Sequence, residues 1–445
     1  MHKKLTACVA LVVASALFAA SVNGAWQGAA SLAKPDTAAL NSTEEILRIV
    51  SRLRELEIKH SVKSSFKTKD EIELSVIRDL DENTPATEFE ATQKTLTKLG
   101  LVGKEFQLRD YVVKLLREQV AGFYEPKTRE FYLAAWLPVS EQKRVIAHEL
   151  VHALQDQHFN LRRFEKWPKG DSDAELAAHA LVEGEATLVM IEYDFEQQGA
   201  KLDLSKIASL TDGMIEQDSD SDAKSYPVLA GAPKVLKENL QFPYLYGAGF
   251  VGAVLRSRWW KGLDSTYLTL PSSTEQIMHP ERFLDRDEPV KVDIPDLTGV
   301  LGADWKRVDS DVNGEFGYLV ALAEFIPKQA AKVAAAGWGG DRYALYENKV
   351  SGAVILAQFT TWDTEKDARE FFEAYADRTG KRYKPGKEVE FGPQLRVSDT
   401  GEGLASMELR GNDVVMIEGA GSREQLAKAS ERMWLTKKGI ASNRK

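Results

Sequence analysis

The sequence predicts an α+β protein in two parts. Between residues 41 and about 266 the apolar residues recur mostly at helical spacing, interrupted by one aromatic hairpin pattern at 122–134. From about residue 311 the signals change to alternating strands with interspersed amphipathic helices.

The first 25 residues fit an export signal. His2, Lys3 and Lys4 form a basic start, Leu5 to Ala20 an apolar run, and Ser21 to Ala25 a small-residue cleavage region. A periplasmic or secreted protein is therefore expected. Leu5-Thr6-Ala7-Cys8 matches a lipobox but precedes the apolar core, so it reads as coincidence. Cys8 is the only cysteine, so the chain left after cleavage can form no disulfide. No later segment offers 18 apolar residues in a row, and no membrane span is expected after the signal. Loss of Lys3 and Lys4 takes the net charge from -9 to -11, which argues against nucleic acid as a partner.

Residues 26–40 are small, polar and proline-containing, the composition of a loose leader. Ser42 and Glu45 then match a capping box before a helix carrying Ile46, Leu47, Val50 and Leu53. Alternation over Lys67 to Asp79 suggests a strand, and Glu88 to Val120 two helices separated around Gly100 and Gly103. The hairpin turns at Glu125 to Thr128, and Pro138 and Ser140 signal the next helix. A second long helix is expected over Ala174 to Glu196. Residues 199–233, with the acidic stretch QDSDSD, read as a mobile insertion before a helix at Tyr246 to Trp260. In the second part, a helix near Phe316 to Phe325 precedes strands at Tyr343 to Glu347 and Val354 to Thr361. A helix at Glu365 to Arg378, further strands and a last helix from Arg423 complete it, with Gly411-Asn412 marking a hairpin.

The chemistry concentrates in RVIAHELVHALQDQH, residues 144–158, an otherwise apolar helix with three histidines and two acids. Such groups are costly to bury unless something binds them. His148-Glu149-Leu150-Val151-His152 is HExxH: four residues apart on a helix, both imidazoles reach one metal ion, and Glu149 lies beside them as a general base. Two third ligands compete. His158 has the spacing of the pattern HExxHxxGxxH, but Gln155 stands where that pattern needs glycine to break the helix. In AAHALVEGEATLV, residues 177–189, His179, Glu183 and Thr187 share one helical face, and Glu183 can complete a two-histidine, one-glutamate site. Glu185, Glu175 and His179 are the fallbacks.

HELVH, then 30 residues, then a helix bearing EGEA resembles the gluzincin metallopeptidases. The wider set QVAGFYEPKTREFYLA, HELVHALQDQHF, LVEGEAT, PYLYGAGFV and STEQIMHPERF, about residues 119–284, resembles a bacterial group of uncharacterised exported zincin-like proteins. The resemblance implies a zincin-like domain over 41–305, with a small mixed sheet, an active-site helix and a largely helical second half. A smaller α+β domain of unknown role would follow over 311–445.

It also implies one zinc ion per chain on His148, His152 and Glu183, and hydrolysis of a peptide or protein substrate by a metal-activated water with Glu149 as base. The oxyanion donor would be Tyr246 or Tyr244, or else His279. Thr187 stands where several gluzincins have an aspartate, and Arg129 to Ala134 is the strand whose open edge would pair with substrate. The alternative is an inactive, zincin-derived envelope binding protein with a structural metal, which a fourth protein ligand such as His158 or His179 would favour.

Three further patterns have simpler readings. Gly247, Gly249 and Gly252 spell GxGxxG without a βαβ unit around them and read as helix packing. Asn41-Ser42-Thr43 is a formal glycosylation site better explained as a helix cap. GWGGDRY, residues 337–343, reads as a tight turn entering the second part.

Overall fold

The computed structural model describes residues 40–166, 170–216, 226–383 and 387–439. The expected signal segment, leader residues 26–39 and Gln217 to Asp222 lie outside them. The chain is α+β, with a mainly helical first part and a sheet-rich second part. No helix among the described residues is long and apolar enough to cross a membrane.

Helices of eight residues or more are labelled in order. The first part has α1 (Thr43–Arg54), β1 (Lys63–Lys67), α2 (Lys69–Asn83), α3 (Ala86–Leu99) and α4 (Leu108–Gln119). Then come β2 (Gly122–Glu125), β3 (Glu130–Ala134), α5 (Val139–Phe159), α6 (Ser172–Gln197), α7 (Ile207–Glu216) and α8 (Lys234–Thr266). Ser42 occupies the N-cap of α1 without a side-chain cap bond. The alternation read as a strand over 67–79 is instead helix α2. Thr68 and Glu71 close a capping box there, and Ile72, Val76 and Leu80 bury one helical face. The strand lies just upstream, as β1.

The hairpin forms as read, but its neighbourhood differs. β3 is the centre of a three-stranded mixed sheet, antiparallel to β2 and parallel to β1, with Lys63 to Lys67 opposite Glu130 to Ala134. The open edge expected at Arg129 to Ala134 is therefore filled, because β1 satisfies its outward backbone groups. The insertion expected over 199–233 is also partly ordered structure: α7 falls within it, and Ile207 is buried against Gly252.

Helices α5, α6 and α8 make the heart of this part. α6 is buried from Ser172 to Ile191, as expected for a helix apolar nearly all round. α8 crosses it at glycines: a Cβ on Gly184 would lie 2.1 Å from the carbonyl carbon of Gly247, and one on Gly247 would lie 2.1 Å from the Ala180 oxygen. Only residues without side chains permit that approach, so the GxGxxG pattern is a packing seam.

The second part adds β4 (Val292–Asp293), β5 (Trp305–Asp311), α9 (Gly314–Ala323), α10 (Lys328–Ala335), β6 (Trp338–Asn348), β7 (Val354–Trp362) and α11 (Glu365–Arg382). β8 (Lys387–Phe391), β9 (Leu395–Thr400), β10 (Gly403–Arg410), β11 (Asp413–Ala420), α12 (Arg423–Met433) and β12 (Lys437–Lys438) complete it. An antiparallel seven-stranded sheet runs β5-β6-β7-β11-β10-β9-β8. β5 lies at its edge, so the second part begins before residue 311. GWGGDRY enters β6 directly, and buried Asp341 accepts from the backbone of Asn313 and Gly314.

The sheet's two faces follow the period of two along each strand. Leu345, Leu356, Val414 and Met416 belong to the main core, which is continuous with Ile46, Leu150 and Leu181 of the first part. Tyr346, Ile355, Ala357 and Ile417 pack with Leu426, Ala429 and Met433 of α12 in a separate, smaller core.

Polar contacts tie the two parts as well. Asp311 accepts from the Ser172 backbone at 2.8 Å, holding the first turn of α6. Asp173 beside it accepts from the Thr274 hydroxyl at 2.6 Å, and that hydroxyl accepts from the Phe316 backbone of α9 at 3.2 Å. On the central strand β11, Glu418 accepts from Arg378 at 2.9 Å, and Arg378 also donates to the Leu99 carbonyl ending α3 at 2.5 Å.

Candidate metal centre

The HExxH helix α5 runs unbroken from Pro138 to the left-handed Asn160 cap. Its spacing places the Nε2 atoms of His148 and His152 3.1 Å apart. α6 packs alongside and brings Glu183 Oε2 to 3.3 Å from the first and 3.4 Å from the second. Their donor atoms lie within 4.8 Å of one another, and the three side chains are 0 %, 6 % and 3 % exposed in chain order. Two imidazoles and a carboxylate stripped of water and converging on one point can hold a metal ion, and that donor set suits a borderline cation.

Electrostatics within the chain agree. Burial would push Glu183 up, but His152 and His148 pull it down to about 2. Burial works against charge on His152, yet Glu183 beside it raises it to about 9. His148, where burial dominates, falls to about 4. Glu183 thus favours its carboxylate form, and that carboxylate in turn favours the charged form of His152 beside it. A metal ion would compete with protons for these atoms, since its ligands bind deprotonated.

Glu149 is held by the hairpin: its Oε2 accepts the backbone N–H of Tyr124 at 2.7 Å, while Oε1 is buried with no partner among the described residues. The Tyr124 hydroxyl also reaches Asp156 at 3.0 Å, so one strand residue braces α5 at two points. Burial raises the Glu149 carboxyl to about 8.

Gln155, where the alternative motif needs glycine, is fully buried and bridges the two ligand helices. His152 Nδ1 lies 2.8 Å from its Oε1, and its Nε2 donates to the Val182 carbonyl at 3.0 Å. The helix therefore continues, and His158 projects at its far end to bond the Glu57 carbonyl at 2.8 Å, away from the cluster.

The other candidates separate clearly. Tyr244 belongs to the site: its hydroxyl is buried without a partner among the described residues, and its ring lies 6.2 Å from that of His148. Burial, with the charges of Glu183 and Glu149, raises its phenol well above the usual value. Tyr246 does not reach the site. Two residues further along α8, it turns the other way to stack on Phe242 at 4.8 Å and face Phe316. His279 is also elsewhere, with Nε2 2.9 Å from Glu315 and Nδ1 3.9 Å from Glu281. Each also meets α9 of the second part, Tyr246 at Phe316 and His279 at Glu315, on the side of α8 and the turn at 279 that faces that helix.

Among the fallbacks, Glu185 is taken by Arg54 and by Tyr267 at 2.6 Å. Neither Glu175 nor His179 joins the converging trio. His179 is buried one turn before Glu183, its Nε2 without a partner among the described residues, and burial lowers it to about 4. Thr187, one turn after, likewise has a buried, unpartnered hydroxyl.

Residues 301–429 match the family model described as a domain of unknown function, DUF8575. No curated protein matches the chain, and no solved structure matches it. The matched region is the seven-stranded sheet and its helices, which leaves the His148, His152 and Glu183 cluster outside the matched span.

Two site features escape a reading by motif. Gln155 was visible as the residue one turn after His152 on the same face, a position from which it can bond the imidazole. The Tyr124 backbone donor had no such signal, because its partner is set by how the hairpin meets α5.

Proposed function

We propose that the protein is an exported zinc-dependent peptidase of the gluzincin type, with His148, His152 and Glu183 as the metal ligands. The observation that carries this reading is the three-donor cluster with Glu149 Oε1 and the Tyr244 hydroxyl beside it, both buried and unpartnered among the described residues. Neither His158 nor His179 joins that cluster among the described residues, which supports an open, three-residue ligand set of the kind associated with catalysis.

Bound there, zinc would supply Lewis acidity, polarising a carbonyl and lowering the pKa of water. The chain's residues do the rest. Glu149, anchored through Oε2 to the strand, has an unpartnered Oε1 that, once the neighbouring cation favours the carboxylate over its proton, would take a proton from an attacking water and return it to the leaving amine. Tyr244 offers an O–H donor to the developing oxyanion, and its raised pKa keeps that proton in place at neutral pH. The ligands' burial strengthens each of these interactions by excluding water.

The test is metal content by elemental analysis together with peptide hydrolysis, on wild type and Glu149→Gln purified without added metal. One zinc per chain in both, with turnover reduced in the variant by about 10²–10⁴, supports the reading. A well-folded wild type that binds no metal, or full activity in Glu149→Gln, refutes it.

A further inference from the structure

We infer that Gln155 is a positioning residue of the metal centre: its amide sets the tautomer of His152 and ties the two ligand helices at that point. This rests on the metal-binding reading above and names what holds one of its ligands.

The argument begins at a backbone carbonyl. Val182 O can only accept, so the Gln155 atom 3.0 Å from it must be the NH₂ nitrogen. The opposite amide atom, 2.8 Å from His152 Nδ1, is then the oxygen, which also only accepts. Nδ1 must therefore carry the proton. That leaves Nε2, the atom facing His148 and Glu183, as the one with a lone pair to give a metal. Gln155 is 0 % exposed, so water has no access to replace either bond.

The geometry does a second job. Val182 immediately precedes Glu183, and His152 lies on the other helix, so a single side chain spans from one ligand to the neighbour of another. Leucine at 155 would fill similar space while losing both bonds, whereas glutamate keeps an acceptor for Nδ1 in the same shape. A partner that orients a metal-bound histidine is commonly worth a factor of about 10–100 in affinity.

Zinc affinity is measured by chelator competition on wild type, Gln155→Leu and Gln155→Glu, with urea unfolding of each metal-free protein and the visible spectrum of each cobalt form. The expected result is about 10–100-fold weaker zinc binding in Gln155→Leu with an altered cobalt spectrum, and recovery of most of that loss in Gln155→Glu. Long-range ¹⁵N–¹H correlation of zinc-loaded wild type should show the His152 proton on Nδ1, and it decides the matter if Gln155→Leu does not fold. Unchanged zinc affinity and spectrum in a folded Gln155→Leu, or a His152 proton on Nε2, overturns the inference while leaving the metal site standing. A wild type that binds no zinc overturns the metal reading and this inference with it.

Discussion

Gly184 and Gly247 meet face to face where α6 crosses α8, each with its Cα facing the other helix's backbone too closely for a methyl group. Gly184 adjoins the ligand Glu183, and Gly247 lies one turn after Tyr244. The contact therefore fixes how near the phenol comes to the metal ligands. Gly247→Ala should destabilise the protein by about 1–3 kcal/mol through overpacking, read as a lower urea midpoint. A midpoint equal to wild type would mean that the helices can separate freely.

The two tyrosines of PYLYGAGF provide a discriminating pair. Tyr244→Phe removes the donor beside the cluster and should lower kcat by about 10²–10³ with metal content unchanged. Tyr246→Phe removes a hydroxyl on the other side of α8 and should leave turnover close to wild type. The reverse order would return the donor role to Tyr246.

Metal content separates the candidate ligands. Glu183→Ala should lose most of the bound metal, since it removes the only carboxylate of the trio. His158→Ala should keep it, because that imidazole is spent on the Glu57 carbonyl. Elemental analysis of the two proteins purified in parallel checks both statements, and metal lost with His158 would contradict the geometry.

A pH effect is expected far from the site. Burial alone would push Glu418 up, but the Arg378 guanidinium and the hydroxyls of Tyr375 and Tyr383 hold it below the usual carboxylate range. The folded value then lies below the unfolded one, so this stabilisation is full above about pH 4.3 and drains away as the pH falls through the folded value. Glu418→Gln, which strands Arg378, should cost about 3–5 kcal/mol at pH 7 and clearly less at pH 3. Denaturant unfolding of both proteins across that range would show it, and an equal loss at both ends would exclude the linkage.

Helices α5 and α6 were legible in the sequence because their apolar periodicity is strong, whereas α8, read only over Tyr246 to Trp260, begins at Lys234 and ends at Thr266. Pro138 opens α5, the hairpin turn has its expected residues, and α6 starts two residues before the expected Ala174, where Asp171 caps it. Local signals failed where two of them competed. The alternation after Lys67 suggested a strand, but a capping box at Thr68 and buried positions four apart fit only a helix. The centre of the sheet was invisible from the hairpin alone, since β1 comes from more than sixty residues upstream.

The site divides in the same way. HExxH is one turn of helix, so its geometry follows from its spacing, and Glu183 follows from the face it shares with His179 and Thr187. Choosing between Tyr244 and Tyr246 was beyond that logic. Two residues apart on a helix means about 200° of rotation, and only the glycine crossing decides which side faces the metal ligands. His279 misled for a related reason: its partner Glu315 belongs to α9, on the far side of the boundary between the two parts.

The Asp311 carboxylate on the first turn of α6 gives the matched domain of unknown function a structural duty toward the ligand helix. The region cannot be treated as a detachable tail. A proteolytic nick or nonsense codon that removed everything after residue 301 would take away the acceptor at Ser172 and bare the apolar face that Leu345, Leu356 and Met416 now cover. The remnant would carry all three ligands yet be prone to clumping before it could hold metal, so damage in the second part would be felt first as loss of the first.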